Sequence, residues 1–442
     1  MDGFGAAHSI IRNFLILNPV KFEPKHFFLS YNYPVPLKSI YQTFTTCRSA
    51  AANTGAFYAL SVSRLASQTL LWNAEVPDVK PFYAVKCNPD PNLVKRLAKV
   101  GFGFDCASKK ELEDILPVAG GSHNIVYANP CKSERDLYFA RSNGAPTTVV
   151  DSFEEVDKLA TAGYDGGALM RIAVEDKTSL VPFSRKFGIA PEQARALGQY
   201  AAQHGVDLKG VSFHVGSGCS DPALYECAIG AAATAATTLQ SLGHPATTID
   251  IGGGFYADAR DLQRKALFIR AAMLNLQLRQ PPFKFIAEPG RFFAEAAYDF
   301  FVQVIGKKPA LLGEGWRYTI DDSLYGQFSG ILFDHARPQW VRIRAPEEKR
   351  RRQVAGTLFG RTCDSIDVIA RAAAMEELEV GDWLWFPRMG AYTRATASEF
   401  NGFPHPEVRM NYNDEPSYYQ LFNDMKYEFP QGIQYAEPVR GL

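Results

Sequence analysis

Residues 80–107 read KPFYAVKCNPDPNLVKRLAKVGFGFDCA. KPFYAVK (80–86) and GFDCA (103–107) are short apolar or aromatic runs of strand length, and NLVKRLAKV between them has helical periodicity. The alternation recurs downstream in NIVYAN (124–129), TTVVD (147–151), GALMRIAV (167–174), KGVSFHV (209–215), TTIDI (247–251) and FKFIAE (283–288). Helical stretches such as KKELEDILPVA, SFEEVDKLATAG, PEQARALGQYAAQHG and the segment 261–280 lie between them. Eight strand-helix units over roughly 220 residues predict an α/β chain with a closed parallel (β/α)8 barrel, a fold that takes ~250 residues.

Outward from this region the texture changes. After Arg291 the chain is aromatic, β-branched and rich in turns, as in WRYTI, GILFD, QWVRIR and GDWLWF, with one helical stretch at IARAAAMEELE (369–379). This predicts a mainly β domain over 292–442. Residues 1–55, which include FFLSYNYPVPL, do not fit the barrel repeat and are expected to join that domain, leaving the barrel at 56–291.

Forty-seven basic residues balance 47 acidic ones, so no global field attracts nucleic acid or an anionic membrane. The basic run in EEKRRRQ (347–353) reads as a solvated loop. The first apolar run is broken by Arg12 and Asn13 and lacks the features of a signal peptide, which gives the expectation of a cytosolic protein. The Ala-rich segment 229–239 is too short to span a bilayer and reads as a closely packed helix. Seven cysteines without a C-x-x-C pair argue against a disulfide framework and a zinc site.

Barrels of this kind carry their active sites at the carboxyl ends of the strands. Here polar residues recur at those ends: Lys86, Asp105, Asn129, Arg171, His214 and Glu288, with the triplet Gly252, Gly253 and Gly254 after the seventh strand. The triplet leaves backbone N–H groups uncovered in the loops where barrels often bind phosphate, while Arg291 supplies a cation and Ser217 a hydroxyl. Lys86 ends an apolar strand, where burial would favour the neutral amine that forms a Schiff base. A phosphate cradle, such a lysine, a carboxylate and an imidazole are the parts needed to hold pyridoxal phosphate. Glu288 would face the pyridine nitrogen, His214 would stack on the ring, and Asp105 and Arg171 are expected to form an orienting ion pair.

In order along the chain, PFYAVKCN, GFDCASK, VYANPCK, SFHVGSGC, DIGGGF, AEPGR, TCD and GDWLWFPRMGAYT closely resemble eukaryotic ornithine decarboxylase, from about residue 30 to about 412. The resemblance implies a barrel joined to a β domain in a homodimer with shared active sites. It implies pyridoxal 5'-phosphate on Lys86, with contacts from Ser217, Gly254, Gly290, Arg291 and Tyr392. It also implies that Cys363 protonates the carbanion from the second subunit, that Asp334 and Asp364 hold the distal ammonium of a diamino acid, and that Tyr325 and Phe400 line the pocket.

Antizyme inhibitors share this family and lose cofactor-site residues, whereas this chain keeps Lys86, Asp105, Arg171, His214, Glu288, Cys363 and Tyr392. An enzyme is therefore expected over an inactive binding protein, and an antizyme-like regulator is a partner the resemblance admits. The departures gather near the substrate: Arg361 where the family usually has Pro, GQFSGILFDH (326–335) in place of a segment like GSFNCILYDH, and Arg394 where a small or apolar residue is usual. Ornithine, yielding putrescine for polyamine synthesis, is the expected substrate, and His335 after Asp334 is of the ornithine type. A modified diamino acid of alkaloid metabolism is the alternative.

Overall fold

The computed structural model describes residues 37–49, 55–277, 283–311, 315–412 and 429–436. Its first strand, β1 (Phe57–Ser61), is buried along its whole length and lies between residues 298–301, antiparallel, and 407–411, parallel. That pairing places it in the β domain. The two compact units divide after Gln68 and after Phe292, not at residue 56, because the strand-like FYALS finds its partners outside the barrel. Of the expectation for residues 1–55, the parts at 1–36 and 50–54 lie outside the described residues.

The barrel strands are β2 (Val79–Ala84), β3 (Gly103–Cys106), β4 (Ile125–Tyr127), β5 (Thr147–Val150) and β6 (Ala168–Arg171). A short antiparallel pair, β7 (Ser179–Val181) and β9 (Ser217–Cys219), flanks β8 (Leu208–Ser212); β10 (Thr248–Asp250) and β11 (Lys284–Ala287) complete the set. Strands β2 to β6, β8, β10 and β11 close in that order, and all eight coincide with the runs read from the sequence. Phe82, Val126, Val149 and Leu169 fill the interior. Gly103 makes room for this layer, since a Cβ there would stand 2.4 Å from the Phe82 ring.

Three successive helices begin alike. Ser108, Ser133 and Ser152 each accept a hydrogen bond from the backbone N–H three residues on, at Glu111, Asp136 and Glu155. Each cap satisfies an orphan donor, typically worth ~1 kcal/mol, and fixes where strand gives way to helix. The Ala-rich segment is helical within Ala223–Ser241, as expected.

The β domain adds β12 (Tyr298–Pro309), β13 (Trp316–Ile320), β14 (Val341–Arg342), β15 (Gln353–Phe359), β16 (Val368–Glu376), β17 (Trp383–Phe386), β18 (Glu407–Asn411) and β19 (Gln434–Tyr435). Strand β12 is the hub: its first half pairs with β1 and β17, and its second half, past an irregularity at Val304/Gly306, pairs with β13. Helix Leu37–Ser49 lays Ile40, Phe44 and Cys47 on Phe57, Phe301, Trp383 and Trp385. IARAAAMEELE is not a helix. Its Ala-rich sequence runs as β16, because pairing with β15 and alternate burial override helix propensity.

Candidate active site

Within the barrel, Lys86 lies in a single 3-10 turn (Val85–Cys87) that ends β2. Its Nζ forms a short ion pair with Asp105 Oδ2 at the end of neighbouring β3. The sequence suggested a lysine buried against apolar walls. Instead the side chain is 40% exposed and its neighbour is a carboxylate. Asp105 itself is fully buried, and its other oxygen, Oδ1, has no hydrogen-bond partner. The expected Asp105–Arg171 pair is not formed among the described residues; Arg171 stacks on the Phe187 ring at 4.8 Å and feels Glu288 most strongly, then Asp151, Asp250 and Asp105.

Glu288 follows β11. Burial, then the charges of Asp105 and Asp250, push its carboxyl well above the ordinary glutamate range, against the pull of Lys86 and Arg171. Asp250, which ends β10, is fully buried; its Oδ1 accepts from the Gly252 N–H at 2.9 Å, its Oδ2 has no hydrogen-bond partner among the described residues, and burial raises its carboxyl to about 7. Burial thus shifts both carboxyls toward the protonated form. The sequence reading passed over Asp250, although TTIDI puts it at a strand end like the others.

His214, after β8, is held neutral by burial and by the nearby charges of Arg171 and Lys86. The Gly216 N–H donates to its Nδ1 at 2.9 Å, so the ring proton sits on Nε2. Phe183 packs edge-on at 4.7 Å, and Gly253 lies so near that a Cβ would stand 2.9 Å from Nε2.

The glycine triplet is a built turn. Gly252 and Gly254 have φ of +66° and +101°, and a Cβ would meet the Phe213 carbonyl at 2.4 Å or the Tyr225 hydroxyl at 2.8 Å. Among the described residues, the N–H groups of Gly253, Gly254 and Phe255 find no acceptor, and the Ser217 hydroxyl has no partner. Gly290 lets the turn before Arg291 approach Lys86's strand, for a Cβ there would be 2.7 Å from Cys87. Asn129 is a loop staple: it donates to the Ala107 carbonyl at 3.1 Å and accepts from the Cys131 N–H at 3.1 Å.

The remaining sequence-derived residues lie in loops of the β domain. The Tyr325 hydroxyl donates to Asp364 Oδ2 at 2.5 Å, and its ring stacks on Phe400 at 4.2 Å. The exposed Cys363 donates its N–H to Asn401 Oδ1 at 3.0 Å. Asp334 ends the short helix Gly330–Phe333, and Gly330 is packed so closely that a Cβ would stand 2.9 Å from the Tyr392 carbonyl. Tyr392 itself adopts φ of +51°. Arg361 lays its guanidinium over the Phe403 ring at 4.2 Å, and Arg394 donates to the Pro406 carbonyl at 3.1 Å.

Unpaired buried oxygens, uncovered backbone donors, a free hydroxyl and a lysine on one barrel rim fit a phosphorylated aromatic cofactor. A family model described as "Pyridoxal-dependent decarboxylase, pyridoxal binding domain" matches residues 62–295. Ornithine decarboxylase of Schizosaccharomyces pombe is 39% identical over 363 residues, covering 80% of this chain and 83% of the relative. The chain belongs to the ornithine decarboxylase family of pyridoxal-dependent decarboxylases. The chloroplastic ornithine decarboxylase of Nicotiana glauca is 38% identical over 355 residues, 78% of this chain and 81% of the relative. Among solved structures, the Paramecium bursaria Chlorella virus arginine decarboxylase superposes with a TM-score of 0.78 at 34% identity, covering 84% of this chain and all of that one. The lysine/ornithine decarboxylase of Vibrio vulnificus, complexed with putrescine, gives 0.75 at 30% identity, covering 84% of this chain and 98% of that one. As a member of this family the chain is a carboxy-lyase that uses pyridoxal 5'-phosphate. No helix among the described residues is long and apolar enough to cross a membrane.

Proposed function

We propose that this decarboxylase converts L-ornithine to putrescine and carbon dioxide. The observation that carries the substrate is the Tyr325–Asp364 pair: the tyrosine hydroxyl, then the Ile366 N–H, holds the Asp364 carboxyl below the usual aspartate range. A carboxylate kept ionised at a solvent-facing loop suits a cationic substrate tail, with Asp334 as its companion. The relatives named ornithine decarboxylase support the same choice.

When bound, pyridoxal phosphate supplies an electron-poor ring that accepts the electron pair left as carbon dioxide departs. Lys86 would hold the cofactor, with Asp105 fixing the lysine. Glu288 would face the ring nitrogen, where its raised proton affinity would suit it to hold a proton. His214 would lie on the ring face as a neutral imidazole, adding no positive charge. Gly252, Gly253, Gly254, Ser217, Gly290 and Arg291 would receive the phosphate, with Tyr392 as the resemblance implies. Cys363 would supply a proton to the substrate carbon, acting on the site of a second copy in a homodimer.

A diamino acid with a second carboxylate is the alternative, and Arg361 is the candidate receptor for it. The stacking of that guanidinium on Phe403 weighs against it. Carbon dioxide release by the purified protein from ornithine, lysine, arginine and such a dicarboxylate tests the reading: ornithine should give the highest kcat/KM. Preference for another substrate would overturn it, and absence of both turnover and cofactor absorbance would favour an antizyme-inhibitor-like binding protein. A cytosolic location and an antizyme-like regulator belong to the same proposal; fractionation and co-purification test them.

A further inference from the structure

Three successive carbonyls of the glycine turn are tied back into the protein. Gly252 O accepts from the Glu288 N–H at 2.7 Å, Gly253 O from the Tyr225 hydroxyl at 2.7 Å, and Gly254 O from Lys265 Nζ at 2.9 Å. A trans peptide is planar, so fixing a carbonyl on one side aims the next residue's N–H at the other. The N–H groups aimed in this way belong to Gly253, Gly254 and Phe255, the three that find no acceptor among the described residues. Consecutive backbone donors that converge form an anion-binding nest.

The ties are built into the core. Tyr225 is fully buried on helix Ala223–Ser241, and its ring lies 5.2 Å from that of Phe255. Lys265 is also fully buried, on helix Ala259–Gln277, where its ammonium pairs with Asp261 Oδ2 at 2.6 Å and lies 5.1 Å from the Tyr256 ring. Asp261 in turn accepts from the Tyr256 N–H at 3.0 Å. Burying an ammonium is costly, and this one spends two of its donors on Asp261 and a single loop carbonyl. Neither side chain reaches the rim through a group of its own; each acts through a peptide.

We propose that Tyr225 and Lys265 are positioning residues for the cofactor phosphate, holding the carbonyls of Gly253 and Gly254 outward so that the N–H groups of Gly254 and Phe255 point at the phosphate oxygens. The proposal rests on the glycine turn being the phosphate site. Its signature is selective: these residues serve the phosphate and leave the rest of the cofactor untouched.

The test compares pyridoxal phosphate with pyridoxal, which lacks the phosphate. Full-length protein stripped of cofactor is titrated with each, followed by absorbance, for wild type, Tyr225→Phe and the paired change Lys265→Met with Asp261→Asn, which removes both charges of the pair together. Ser217→Ala serves as a direct probe of the phosphate site. Each positioning variant should lower the ratio of pyridoxal phosphate to pyridoxal affinity by about ten-fold, the scale of one charge-assisted hydrogen bond. An unchanged ratio in folded variants would overturn the positioning role, and so would equal weakening of both ligands. If Ser217→Ala also leaves the ratio unchanged, the assignment of the phosphate site itself falls.

Discussion

The hydroxyl of Tyr325 lies 2.5 Å from Asp364 Oδ2, and its ring is stacked on Phe400. The tyrosine is therefore fixed by two contacts, and it fixes the carboxylate in turn. Tyr325→Phe keeps the stacking and removes the hydrogen bond. For ornithine the expected outcome is a KM raised about ten-fold with kcat changed far less, because binding of the tail is weakened while the reacting centre is not. Steady-state kinetics over a range of ornithine concentrations check this split.

Lys86 is the barrel lysine whose Nζ touches the Asp105 carboxylate on the rim. Borohydride reduction of the native enzyme should fix a pyridoxyl group on Lys86, and Lys86→Ala should fold normally while losing nearly all turnover. Peptide mapping that finds the label on another lysine would refute the assignment.

All eight barrel strands could be read from the sequence, because a parallel strand buried on both faces is a short apolar run and Ser-x-x-Glu or Ser-x-x-Asp marks the next helix. The rim residues were legible for the same reason: strand ends define the rim. The barrel start at residue 56 and the helical reading of IARAAAMEELE misled, since long-range pairing, not local preference, decides where 57–61 and 368–376 lie. Lys86 was expected to be buried because the strand before it is apolar, but the chain turns at Val85 and brings the side chain to Asp105. Tyr225 and Lys265 carry no sequence signal, as their hydrogen bonds to the glycine turn run through the carbonyls of Gly253 and Gly254.

Asp322 is buried, and its Oδ1 accepts from the N–H groups of Ser323 and Gln327, both at 2.7 Å. Burial raises its carboxyl to about 7, with Arg361 and those N–H groups opposing. A carboxyl raised in the folded state contributes stability below its unfolded value near 4, and that contribution is lost as pH rises through 7. Asp322→Asn keeps an oxygen acceptor and cannot ionise. Its unfolding free energy from urea titration, relative to wild type, should therefore improve between pH 5 and pH 8, by on the order of 2 kcal/mol. A constant difference across that range would refute the assignment.

In the proposed homodimer, Lys86 and Cys363 serve one site from different subunits. Lys86→Ala and Cys363→Ala proteins, each inactive alone, should regain activity when mixed under conditions of subunit exchange. Random reassortment makes half the dimers mixed, each with one intact site of two, so about a quarter of wild-type activity is expected. Exchange shown by native mass spectrometry without any recovered activity would exclude the shared site.

Arg361 is one of the departures read from the sequence, and its surroundings decide what it does. The guanidinium lies over the Phe403 ring, one nitrogen reaches the Pro404 carbonyl at 3.5 Å, and the nearby Asp321 and Asp322 both feel its charge. Its backbone N–H donates to the Asp322 carbonyl at 3.1 Å. A cation occupied in this way ties the loop that carries Cys363 and Asp364 to the loop at 321–327, leaving little for a substrate carboxylate. Arg361→Met preserves the backbone bond and removes the charge. The expected outcome is a loss of about 1 kcal/mol in stability, the scale of a partly exposed cation–π contact, with the order of preference among ornithine, lysine and a dicarboxylic diamino acid unchanged. Arg361→Pro also deletes the N–H donor and should cost more, by about a further 1 kcal/mol. If either variant instead gains ornithine turnover while losing a dicarboxylic substrate that the wild type accepts, Arg361 is a substrate receptor and the enzyme is specialised for that acid.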